Sequence, residues 1–186
     1  MNNQSKKENQ EQKALERCEA LAELVLGVKD KYKNATDNQK AFIETTIGAA
    51  LWYLPELENS FTGYISINCL KTFKDGKPKI SEEHLFPRKI SARELLKEKE
   101  INGNKVFSLY KEKFCKLCFV TSEENKQAKT HQKPENFEPH DLIKIYNMAN
   151  ISLIKITKEE YNQLKKKNKD ILNELLNRLP IKEILL

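Results

Sequence analysis

Three features of the sequence predict an α+β fold. Apolar residues recur three and four apart in long runs towards both ends, one run near the middle alternates with period two, and turn-forming residues are scarce. Only 5 glycines and 6 prolines occur in 186 residues, which argues against a glycine-rich nucleotide fold and against an all-β domain full of tight turns. The 39% hydrophobic share lies below, and the 32% charged share above, the usual values for a globular domain, so the expected core is thin for the length. That length predicts a single domain over residues 14–186 behind a short tail.

Residues 1–13 are almost wholly Asn, Gln, Lys and Glu, and read as a disordered tail that buries too little surface to offset its ordering entropy. The stripe Leu15, Cys18, Leu21, Ala22, Leu24, Val25 and Val28 predicts a helix from Ala14 ending near Asn34. A second helix is expected from Thr36, with Thr36 and Gln39 as a capping box, to its stop at Pro55. Together they make an N-terminal helical hairpin over 14–56, with Trp52 read as a core residue. Alternation from Phe61 to Cys69 predicts a strand reaching Lys71. A turn follows at 74–77, then a short extended piece halted by Pro87, a helix over Ser91 to Glu100, and a turn at Asn102-Gly103-Asn104. Phe114 to Val120 reads as a strand feeding a helix from Ser122, with Thr121 and Glu124 as its cap. Residues 131–139 read as a loop. The C-terminal part, 138–186, should hold a helix over Asp141 to Met148, a strand over Ile151 to Ile156 and one long lysine-rich helix from Thr157 to Leu179.

The chemistry-bearing segment is Glu82-Glu83-His84-Leu85-Phe86-Pro87-Arg88-Lys89. A carboxylate beside a histidine at the end of a short strand can hold a divalent cation while the imidazole, with an ordinary pKa of about 6.5, takes a proton from water. Arg88 and Lys89 can then neutralise a phosphate. The competing reading is a histidine in a charged surface loop. A second segment, Cys118 to Lys129, is a strand running into a capped helix with Asn125 near its start and Lys129 one turn later.

This order, acidic-His-x-x-Pro and then strand, helix and Asn-x-x-x-Lys, resembles the HNH nuclease family of the ββα-metal fold, over residues 61–131. The resemblance implies His84 as the general base, Glu83 as one metal ligand and Asn125 as the second, with Mg²⁺ or Mn²⁺ favoured by the oxygen donors. It implies Arg88, Lys89 and Lys129 as phosphate or DNA contacts. The sequence departs from the family pattern in having Glu83 where Asp is usual, which leaves Glu82 as an alternative ligand, and in lacking a clear middle Asn. Asn125 follows His84 by 41 positions, longer than the compact motif. A competing alignment ends on Asn150 and Asn162 instead, but its longer loop costs more closure entropy.

Cys115-x-x-Cys118 has the spacing of structural Zn²⁺ ligands, yet a four-ligand site needs two more donors, and Cys18 and Cys69 are single and distant in sequence. Two buried core thiols are the competing reading. The net charge of +6 suits a polyanionic partner. The run Lys165, Lys166, Lys167 and Lys169 reads as a solvated helix face. No stretch approaches a membrane span and no apolar segment follows the first lysines, so a cytoplasmic protein is expected. The expected activity is metal-dependent hydrolysis of double-stranded DNA, by analogy that of a Type II restriction endonuclease acting as a homodimer. The alternatives are a nicking homing-type or phage enzyme, and a non-catalytic nucleic-acid-binding or interaction protein.

Overall fold

A computed structural model describes residues 3–132, 142–182 and 184. In chain order its elements are α1 (Asn3–Lys33), α2 (Asp37–Trp52), β1 (Phe61–Ser66), α3 (Ile67–Thr72), β2 (Ser81–His84), α4 (Arg88–Lys97), α5 (Gly103–Leu109), β3 (Leu117–Val120), α6 (Ser122–His131), α7 (Leu142–Met148), β4 (Leu153–Lys155), α8 (Lys158–Lys165) and α9 (Lys169–Leu176). The α+β class is as expected. The 14–186 stretch, read from sequence as one domain, divides into two compact units: a helical one from 1–60 and 86–116, and a sheet-containing one from 61–85 and 117–186.

In the helical unit, Cys18, Leu21, Ala22 and Val25 of α1 are buried, as are Ile47 and Leu51 of α2, Leu95 and Leu96 of α4, and Val106 and Leu109 of α5. The expected capping box at Thr36 and Gln39 forms and α2 begins there. Trp52 does not join the core: it is 56% exposed at the end of α2, with the Arg88 guanidinium 3.5 Å over its ring. Helix α1 runs back to Asn3, through residues whose composition reads as a disordered tail. Gln, Lys and Glu are good helix formers once the buried turns beyond Ala14 supply the nucleus. Asn102-Gly103-Asn104 is a helix start rather than a turn, because Asn102 Oδ1 accepts the Lys105 amide at 2.9 Å. A Cβ at Gly103 would clash with Glu19 of α1, so glycine permits that approach. Helix α4 starts at Arg88 rather than Ser91. The Pro87 carbonyl accepts the Ile90 and Ser91 amides at 2.8 and 3.0 Å, so the proline opens the helix.

The sheet unit has strand order β2-β3-β1-β4. Strand β2 runs antiparallel to β3 with Ser81 opposite Val120 and His84 opposite Leu117; β1 lies parallel to β3 and antiparallel to β4. Gly63, at φ +85°, takes up a register shift in β1. Its carbonyl accepts the Ile156 amide at 2.8 Å, and a Cβ there would clash with the Ile156 carbonyl. Strand β1 stops at Ser66 rather than Lys71, since Ser66 Oγ accepts the Cys69 amide at 2.9 Å and opens α3. One face of the sheet packs Ile65, Phe119 and Ile154 against Leu70 of α3, Leu164 of α8 and Leu175 of α9. The long C-terminal helix expected from Thr157 is broken in two: Lys167 takes a left-handed conformation, φ 61°, and Asn168 caps α9.

Candidate functional site

The site is built from β2, β3 and α6 of the sheet unit. The N-terminus of α6 is fixed by Thr121, whose Oγ1 accepts the Glu124 amide at 3.2 Å, and by Glu124, whose Oε2 accepts the Thr121 amide at 2.9 Å. The same buried carboxylate accepts Ser66 Oγ at 2.6 Å and Asn68 Nδ2 at 3.1 Å. Helix α6 is thereby anchored to the end of β1. Asn125 follows immediately and is 8% exposed. Its Nδ2 donates to Ser81 Oγ of β2 at 2.9 Å, while its Oδ1 is buried with no hydrogen-bond partner.

Two residues along β2 from Ser81, about 7 Å by strand geometry, Glu83 leaves the strand on the same side. It is 4% exposed, and Gln132, the residue just beyond the end of α6, donates Nε2 to its Oε1 at 2.7 Å. Glu83 lies opposite Cys118 of β3, whose Sγ is 3.2 Å from the Tyr146 hydroxyl of α7. Burial pushes the Cys118 thiol up to about 12, with the Glu83 carboxylate adding to the rise, and holds Tyr146 well above its ordinary range. Both therefore stay protonated and neutral beside the acid.

Ser81, Glu83, Asn125 and Gln132 thus form one polar layer between β2 and α6, in which Glu83 and Asn125 are buried and Ser81 and Gln132 half-buried. The orphan Asn125 oxygen and the Glu83 carboxylate are hard oxygen donors of the kind that hold Mg²⁺ or Mn²⁺. Among the described residues, no group of three or more His, Cys, Asp or Glu side chains stands ready to hold a metal ion. Asparagine lies outside that set.

His84 ends β2, half-buried, and as the neighbour of Glu83 on the strand it leaves on the opposite side. Glu82 is exposed. Lys129, one turn beyond Asn125 on α6, is exposed. Arg88 and Lys89 fall in the helical unit, on the first turn of α4, where Arg88 stacks on Trp52. Of the alternative ligands, Asn150 lies just before β4, three strands from β2 and roughly 14 Å away by strand spacing, and Asn162 lies on α8. Cys115 and Cys118 belong to different units: Cys115 Sγ donates to the Lys111 carbonyl at 3.6 Å, and its burial raises its pKa. Residues 133–141, which contain His140, lie outside the described residues.

Sequence reasoning missed Ser81 and Gln132. Both carried a signal: Ser81 is two strand positions from Glu83, and Gln132 is two helical turns from Asn125. No protein-family model, curated protein or solved structure matches the chain.

Proposed function

We propose that the sheet unit is a metal-dependent phosphodiesterase centre of the HNH type that hydrolyses double-stranded DNA. The observation that carries this reading is the buried Asn125 Oδ1 without a partner, in the same layer as the Glu83 carboxylate, on a strand-strand-helix unit. A buried acceptor left unpaired costs about 1–3 kcal/mol, a cost explained if the atom serves a cation. A Mg²⁺ or Mn²⁺ held by Glu83 and Asn125 would stabilise charge building on the phosphate and the leaving oxygen.

The protein's own part is placement and proton transfer. Gln132 holds the Glu83 carboxylate in one orientation, and Ser81 does the same for the Asn125 amide. His84 takes the proton from the attacking water. Strand β2 is the sheet edge, and the half-buried His84 lies at this rim, whereas Glu83 is buried between β2 and α6. Lys129 contributes charge to the phosphate at that rim. Cleavage of both strands at one site needs two such centres, which is why a homodimer and a Type II restriction activity are the finer reading.

One observation favours a second reading, a non-catalytic nucleic-acid-binding protein: Glu83 and His84 leave β2 on opposite faces. Incubation with phage and plasmid DNA plus Mg²⁺ or Mn²⁺ separates the two. Discrete fragments, reduced about 100-fold or more in His84→Ala, Glu83→Gln and Asn125→Ala, are expected of a restriction nuclease. Nicks or a smear with the same losses keep the chemistry and reject restriction. Absence of metal-dependent cleavage by the folded protein, with DNA binding retained, establishes the second reading.

A further inference from the structure

On the sheet face opposite Glu83, the break between α8 and α9 shapes a cavity of about 360 Å³, within the usual size range of small-ligand sites. Its floor is Phe73, Leu164 and Leu172, all buried, and Lys74, Lys167 and Lys169 stand around it. The left-handed conformation of Lys167 turns the chain here and brings its Nζ over Gly76, 3.6 Å from where a Cβ would be. A continuous α8–α9 helix would have fanned Lys167 and Lys169 around a solvated cylinder. Among the described residues, none of the three ammonium groups has a carboxylate partner. Asn168 Oδ1 accepts the Asp170 and Ile171 amides, and the charged groups that line the cavity are the three lysines.

We propose that this cavity binds the phosphate and base of a nucleotide. Lysine ammonium groups are point-charge partners for a phosphate. An apolar floor containing one aromatic ring suits the flat face of a base, and exposed Asn173 at the rim offers a carboxamide to its edge. The ligand is either a free nucleotide or the 5′-terminal nucleotide of a strand. The inference does not rest on the nuclease reading, since the cavity shares no residue with the layer between β2 and α6.

The test is an NMR titration of the full chain in EDTA, following the Gly76 and Asn168 amides. The probes are adenosine 5′-monophosphate, adenosine, inorganic phosphate, and a single-stranded oligonucleotide with and without a 5′-phosphate. Saturable shifts with adenosine 5′-monophosphate or the phosphorylated oligonucleotide are expected, weakened about tenfold or more in the double variant Lys74→Glu/Lys167→Glu. These exposed positions let the variant keep its fold, which its spectrum elsewhere verifies. Tighter binding of the mononucleotide assigns a free nucleotide, and tighter binding of the oligonucleotide assigns a strand end. Equal binding of adenosine, equal binding of inorganic phosphate, an unchanged affinity in the variant, or no shift at millimolar ligand would each overturn the proposal.

Discussion

Asn125 combines two costs that a purely structural residue avoids: its amide is buried, and only one end of it is bonded. Replacing it with alanine removes the Ser81 hydrogen bond, worth roughly 1 kcal/mol net, and also removes the orphan acceptor, which costs about 1–3 kcal/mol. The expected outcome is a thermal midpoint equal to or above that of the parent, together with lost metal-dependent cleavage. A midpoint lowered by several degrees would mark Asn125 as a packing residue instead. At the same scale, Glu160 is held below its ordinary pKa chiefly by the Arg178 hydrogen bond, 2.7 Å from Nη2 to Oε1. A depressed acid stabilises the fold above its unfolded value near 4.5 and loses that contribution as pH falls through the folded value. Urea midpoints of the parent and Glu160→Gln should therefore differ at pH 7 and converge in acid below about pH 4.

Among the elements, α6 depends most on one side chain. Glu124 completes the cap and receives Ser66 and Asn68, so Glu124→Ala removes a helix cap worth about 0.5–2 kcal/mol. It also strips the buried Ser66 hydroxyl of its acceptor, for a combined loss of about 2–4 kcal/mol. Denaturant unfolding should register that loss, and cleavage should fall with it because Asn125 is the next residue. In the helical unit, the buried Glu44 of α2 accepts Arg93 Nε of α4 at 2.7 Å and the Tyr32 hydroxyl of α1 at 2.6 Å. Arg93→Ala leaves that carboxylate buried without its cation. With the Arg93 side chain one-third exposed, a loss of about 2–3 kcal/mol is expected, below the full penalty for a broken buried pair. The additional change Glu44→Gln should recover part of it.

At the scale of the whole molecule, the cysteines set an alkaline limit. Burial pushes the thiols of Cys18, Cys69 and Cys118 up to about 12, from an ordinary 9.0. Between those values the unfolded chain gives up protons that the folded chain keeps, so stability is full below pH 9 and falls as pH rises above it. Melts from pH 8 to 11 should show that decline, shallower in Cys118→Ala. A thiol reagent at pH 8 should label these three only on unfolding.

Local signals made the elements legible. The capping boxes at Thr36, Thr121 and Thr157 each start a helix where the sequence reading puts one. The alternation at Phe61 and the apolar stripe of α1 report their own structure because hydrophobic period is a property of a few adjacent turns. What a run of residues does not encode is the partner it meets. That Asn125 lies beside β2 and Asn150 three strands away follows from the strand order, which is set by long-range pairing. Trp52 sits on an apolar stripe and is nonetheless exposed, and the lysine run after Leu164 breaks instead of continuing as helix. From the sequence alone follow the starts of the helices capped by Thr36, Thr121 and Thr157, the strand that leads into α6 and the residue types that gather near His84. The fold in three dimensions is what buries both Glu83 and Asn125 between β2 and α6 and sets Lys74 and Lys167 around one cavity. The physical reason is range: propensity, capping and period act within a turn or two, whereas burial and strand order are settled by residues tens of positions apart.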